Sequence, residues 1–123
     1  NRDALIALAR NPLTIRRTRF DSLRGLTDLM DLAQEAAPRL PGNTLVLYGA
    51  KDTLVPPDAT SRAWRAMPGG VQRAYYPGGY HLLLRDLGRA VAIEDVVAWV
   101  GAPGTTLPSG AEAAATAWLA EEE

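Results

Sequence analysis

The chain has no cysteine, a single histidine, a single phenylalanine and no apolar run long enough to cross a bilayer. Without cysteine, disulfide staples and thiolate metal sites are excluded, while the redox compartment stays open because cysteine-free chains occur in all of them. Basic residues are also sparse at any one place. Arg16, Arg17 and Arg19 form the sole cluster, so the clustered basic face that nucleic acid binding requires is missing. What is present is an ordinary balance, 47% apolar and 22% charged, which fits a chain that folds in water rather than a disordered or collagenous one. Its 123 residues support one hydrophobic core and not two. The net charge of −1 hides a gradient, with seven arginines against five acids in residues 1–40 and four glutamates without a base in residues 101–123. The first residue is Asn1, and a helical pattern begins at once. We therefore expect an upstream part, with any signal peptide or anchor, to be missing, so that cytoplasmic and membrane-associated locations are equally compatible with the sequence.

Residues 3–9 are good helix formers and stop at Asn11-Pro12, because the residue before a proline is driven out of the helical region. A second helix, with Asp21 or Ser22 as its cap, carries Leu23, Leu26, Met30, Ala33 and Ala37 at three- and four-residue intervals. That stripe is expected to be buried. Thr44 to Tyr48 is a continuous apolar run between Gly42-Asn43 and Gly49, the pattern of a strand covered on both faces. Pro56-Pro57 then breaks the chain, Asp58 offers an N-cap, and Ala59 to Met67 read as a helix with Trp64 inward. Val71 to Tyr76 form a second strand. After Gly78-Gly79, a helix from about Arg89 to Val100 offers Val91, Val96, Val97, Trp99 and Val100 as core positions. Residues 101–110 look like linker. Ala111–Glu123 looks like an alanine-rich tail helix, with Glu121, Glu122 and Glu123 expected to fray it, since they lie at the negative end of the helix dipole. Two strands alone leave two open sheet edges, so a larger sheet or a pairing partner is implied.

Catalytic groups of open α/β sheets gather at the carboxyl ends of the strands. Asp52 follows the first strand by a few residues, and His81, the lone histidine, follows the second. Parallel neighbouring strands bring both loops to one rim. A carboxylate there fixes the tautomer of the imidazole and leaves its other nitrogen free to take a proton from a nucleophile. Each residue also has a plainer reading, Asp52 as a turn former and His81 as a packed core residue. Their conjunction in adjacent loops favours chemistry. Tyr80, Leu54 and Val55 flank the pair and are candidate substrate contacts. Tyr75 and Tyr76 read as packing residues, and Arg85-Asp86 as a surface pair.

The string from Leu45 through Tyr48, Gly49, Lys51 and Asp52 to Pro56, followed by Tyr76, Pro77, Gly78, Gly79, Tyr80 and His81, resembles the last two strand-loop units of the α/β-hydrolase fold. The likeness is to its monoacylglycerol lipase and lysophospholipase branch. In that fold the triad runs serine, acid, histidine along the chain, and Asn11 to Phe20 with the following helix is similar to the helical cap such enzymes insert before the acid. The resemblance implies a C-terminal fragment of an α/β-hydrolase: residues 1–40 a helical cap or lid, 41–101 a βαβα unit with parallel strands, 102–123 a linker and tail helix. It implies a carboxylic ester hydrolase without cofactor, acting on a lipid-like monoacyl ester, with Asp52 and His81 as catalytic residues.

The departure is that no G-x-S-x-G turn exists, and Ser22, Ser61 and Ser109 lie in other contexts. The nucleophile and the oxyanion amides are then expected in an N-terminal part of the protein outside this chain, and the chain alone is expected to be inactive. Leu5, Leu8, Leu13, Ile15 and Leu26 would line an acyl tunnel if the cap is so placed, with burial as the plainer alternative. Two other classes compete. A signalling receiver would use Asp52 as phosphate acceptor but needs an earlier acidic pair, which is absent. A non-catalytic interaction module would recruit a partner, or a second copy in a homo-oligomer, through the open strand edge.

Overall fold

In a computed structural model that describes residues 1–121, two parallel strands form the sheet, β1 (Leu45–Gly49) and β2 (Gln72–Tyr76). Leu45 lies opposite Gln72, Leu47 opposite Ala74 and Gly49 opposite Tyr76. Strand alternation divides the side chains between two faces. Leu45, Leu47, Ala74 and Tyr76 point to one face, where they meet Ala92, Leu107 and Ala111. Val46, Tyr48 and Tyr75 point to the other and meet Trp64, Ala115 and Trp118.

The N-terminal helices are α1 (Arg2–Arg10) and α2 (Phe20–Ala36), followed by a 3₁₀ turn at Ala37–Arg39. Asn1 caps α1 by accepting the Ala4 amide, and Asn11 ends it in extended conformation ahead of Pro12. The start of α2 is two residues earlier than a cap at Asp21 and three earlier than one at Ser22, with Arg19 at the cap and Asp21 inside the first turn, where its charge favours the helix dipole instead of capping. Neither helix buries a residue. Of the expected buried stripe, only Ala37 is buried; Leu23, Leu26 and Met30 are 48%, 54% and 45% exposed, and Leu26 and Met30 face an open groove.

The crossover helix α3 (Pro57–Ala66) has Pro56 at its N-cap and Pro57 as its first residue, so Asp58 is not its cap but sits in the first turn and pairs with Arg62 at 3.1 Å. Proline suits that position, since the first-turn amide has no intrahelical partner. Trp64 is inward at 1% exposure. The Arg73 guanidinium collects the carbonyls of Trp64, Met67 and Pro68, which closes the helix C-terminus. After a 3₁₀ turn at Leu83–Arg85 comes α4 (Arg89–Gly101). Its buried residues are Ala92 and Asp95, whereas Val91, Val97 and Val100 are exposed. Of the five expected core positions these three are thus turned outward, while Val96 is half-buried and Trp99 packs against the core, and a carboxyl takes the interior position.

That carboxyl explains the tail. Asp95 is fully buried and accepts three hydrogen bonds, from the Tyr76 hydroxyl at 2.8 Å, the Ser109 amide at 3.0 Å and the Ser109 hydroxyl. Burial, and then the bond to Asp95, push the Tyr76 hydroxyl pKa upward. The segment read as linker is therefore anchored, with Leu107 at 2% exposure, and Gly110, at φ 71°, turns the chain into α5 (Ala111–Glu121). Ala111 belongs to one face of the sheet and Ala115 and Trp118 to the other, so α5 crosses the outer edge of β2. The Trp118 ring stacks on Tyr75 at 4.7 Å and meets Trp64 edge-on at 5.4 Å. One of the two expected open edges is closed in this way. The expected fraying of the tail concerns Glu122 and Glu123, which lie outside the described residues, and Glu121, which is helical.

Candidate functional site

Both loops that leave the sheet at its carboxyl end are held by backbone hydrogen bonds to each other. The Ala50 amide donates to the Tyr76 carbonyl at 3.0 Å and the Lys51 amide to the Gly79 carbonyl at 2.8 Å. Within the first loop, Asp52 folds its own chain: Oδ1 accepts the amides of Leu54 at 2.8 Å and Val55 at 3.0 Å, a turn that an aspartate side chain forms readily. The Tyr48 hydroxyl donates to the Val55 carbonyl at 2.9 Å and fastens the far side. The turn-former reading of Asp52 is therefore satisfied by one oxygen. The other is left for a partner.

That partner is His81, whose Nδ1 lies 2.8 Å from Asp52 Oδ2. The Asp52 side chain is 6% exposed and the His81 side chain 42%, so the carboxylate sits behind an imidazole that faces outward. Burial raises the Asp52 pKa, but the His81 hydrogen bond, the Val55 and Leu54 amides and the attraction to His81 outweigh it and hold the carboxyl below its ordinary range. An ionised carboxylate only accepts. In the neutral form of the ring Nδ1 therefore carries the proton, and Nε2 holds the lone pair. Such a pair can accept a proton from a hydroxyl or water and return it to a leaving group.

His81 lines a groove of about 740 Å³ walled by α2 and α3, within the range of small-molecule sites. Leu54 and Val55 line it, as do Leu26, Met30, Ala33, Ala37, Thr60 and Trp64. Tyr80 does not. It lines a smaller cavity of about 210 Å³ on the other side of His81, with Leu5, Leu8 and Arg85, and its ring lies 5.4 Å from the Lys51 ammonium. Leu13 and Ile15 line neither and are 85% and 80% exposed. The groove walls on α2 were legible as an apolar stripe, but the stripe's spacing is the same for a groove as for a core. The contribution of α3 carried no separate sequence signal.

Comparison with known families supplies the affiliation. The profile of the family described as serine aminopeptidase, S33, matches residues 1–88, well over half of the chain. The chain belongs to that family. It is accordingly a member of the α/β-hydrolase superfamily and of a hydrolase family, and the small parallel sheet with its crossover helix agrees with that fold. No solved structure matches the chain. The S33 match takes in α1, α2, both strands, Asp52 and His81, and stops before α4 and α5. Among the described residues no serine hydroxyl bonds to His81: Ser61 donates to the Asp58 carbonyl and Ser109 to Asp95.

Proposed function

We propose that this chain supplies the acid, Asp52, and the general base, His81, of a serine ester hydrolase that resembles lysophospholipases and monoacylglycerol lipases. A serine outside residues 1–123 would attack the ester carbonyl. His81 Nε2 would take its proton and deliver it to the departing alkoxide, while Asp52 holds the ring and stabilises the imidazolium. The observation that carries this reading is the 2.8 Å contact between a buried carboxylate and a half-open imidazole that lines an apolar groove.

The groove also bears on substrate. A peptide with a free amino terminus needs an anionic partner for its ammonium group, and among the described residues no Asp or Glu lines the 740 Å³ groove. An acyl chain needs only apolar wall. A lipid-like monoacyl ester therefore fits better than a peptide.

A further support for this reading is the second edge of β1, which pairs with no strand among the described residues. Gln72 donates to the Thr44 carbonyl and Ala50 to the Tyr76 carbonyl, so in a parallel ladder Val46 and Tyr48 bond toward β2 while Leu45 and Leu47 direct their amides and carbonyls to the opposite edge. That edge would receive a strand from the nucleophile-bearing part of the protein. Residues 1–40 would then serve as the cap over the completed site. The test is to combine the chain with that upstream part and assay a monoacylglycerol and a lysophospholipid. We expect hydrolysis that falls by three orders of magnitude or more in His81→Ala, and none by the 123-residue chain alone. Labelling of the chain alone by a serine-directed phosphonate would overturn the proposal. An interaction module without chemistry would be indicated if the combined protein bound but did not hydrolyse either ester.

A further inference from the structure

The contact between the two loops is closer than any side chain would permit. A Cβ built on Gly49 would stand 2.6 Å from both the carbonyl carbon and the carbonyl oxygen of Gly79 and 2.9 Å from the Tyr80 carbonyl oxygen. These are backbone atoms and cannot swing aside as a flexible side chain can. A Cβ on Gly79 would likewise meet the Gly49 Cα at 3.1 Å, the Tyr76 Cβ at 3.0 Å and the Leu83 side chain. Neither glycine has a positive φ, so what the site requires of them is space and not an unusual backbone conformation. Gly78, one residue before Gly79 in the same loop, has nothing within 4 Å of its Cβ position.

We infer that Gly49 is a positioning residue for the Asp52–His81 pair: the bare backbone at Gly49 lets the histidine loop seat directly on the aspartate loop, which sets the distance between Nδ1 and Oδ2. Gly49 is three residues before Asp52, and its carbonyl accepts the Asp52 amide at 3.0 Å. Gly79 is two residues before His81, and its carbonyl accepts the Lys51 amide. The hydrogen bonds that link these contacts, at 2.8 to 3.0 Å, tie neighbouring backbone segments directly, so a displacement at Gly49 is passed on toward the imidazole. Relieving a 2.6 Å clash to an ordinary contact needs several tenths of an ångström, and a bond of 2.8 Å moved by that amount leaves the hydrogen-bonding range of about 2.7–3.2 Å. The consequence for chemistry rests on the reading of Asp52 and His81 as acid and base. The geometric part does not.

Because His81 is the single histidine, its tautomer is directly readable by long-range ¹H–¹⁵N correlation on the chain itself. In the wild type we expect the Nδ1–H form. Asp52→Asn serves as the reference, and an unchanged tautomer there would remove the pair itself rather than the role of Gly49. Gly49→Ala, checked for native fold by circular dichroism, is expected to lose the Nδ1–H preference, while Gly78→Ala keeps it. A folded Gly49→Ala with wild-type tautomer overturns the inference, and so does a Gly78→Ala that behaves like Gly49→Ala. If Gly49→Ala does not fold, amide exchange in the wild type decides. Lys51 protected to the same degree as the β1 amides that bond to β2 supports the seating of one loop on the other, and Lys51 exchanging as freely as an exposed loop amide overturns it.

Discussion

The helices α2 and α5 make opposite use of their apolar residues. With Leu23, Leu26, Met30 and Ala33 in a clean stripe, α2 buries no residue within its 17, and only Ala37, in the 3₁₀ turn after it, is buried. The shorter α5, mostly alanine, buries Ala111, Ala115 and Trp118 among 11. Pattern alone therefore does not decide burial; a surface to lie on does. For α5 the surface is the outer edge of β2, and its small alanines let the helix approach the strand closely while Trp118 fills the space between Tyr48, Tyr75 and Trp64. For α2 the chain supplies only the far wall of a groove, α3, and leaves the rest of the stripe open.

The contrast is sharpest when each helix is stripped of its largest apolar group. Trp118→Ala should cost about 3–5 kcal/mol of unfolding free energy, enough to consume much of a small domain's stability; a urea melt followed by circular dichroism measures it. If α5 were a loosely attached tail, the melt would not move. Next in size is its anchor. Asp95→Ala leaves the Tyr76 hydroxyl and Ser109 without their buried acceptor, and a loss of about 2–3 kcal/mol is expected, together with faster proteolysis between residues 101 and 111.

The acid at the site comes third and is read through pH. The folded-state pKa of Asp52 lies below its unfolded value, which is about 3.9, so its contribution is present in full above that value and is lost as pH falls through the lower folded value. The difference in stability between wild type and Asp52→Asn should hold steady just above pH 4 and then shrink on further acidification. A difference that grew on acidification would contradict the assigned direction. Smallest of all, Phe20→Ser at the start of α2, where the ring is 91% exposed, should change the stability of this chain by no more than about 0.5 kcal/mol. A larger loss in the melt would show that the α2 region is covered.

The site was more legible than its surroundings. Asp52 and His81 stood out because each follows an apolar strand run and a glycine, and the parallel order of the strands brought them to one rim, 2.8 Å apart. The loop glycines were visible only as bend formers, since nothing in a single sequence says which two loops touch. The expected cap at Asp58 and the valine core of α4 failed for related reasons. Capping depends on where Pro56 and Pro57 set the helix start, and helix rotation is set by Asp95 reaching Tyr76 and Ser109.

Local patterning set the elements among the described residues, five helices and two strands, with their order and the placement of Asp52 and His81 after successive strand ends, because hydrophobic period, proline and glycine act over a few residues. The tertiary structure decided which faces are buried, that residues 102–121 close the edge of β2, and that Tyr80 lies on the opposite side of His81 from Leu54 and Val55. Those outcomes depend on contacts between residues far apart in the chain, where a buried carboxyl or the absence of a Cβ can outweigh any local preference.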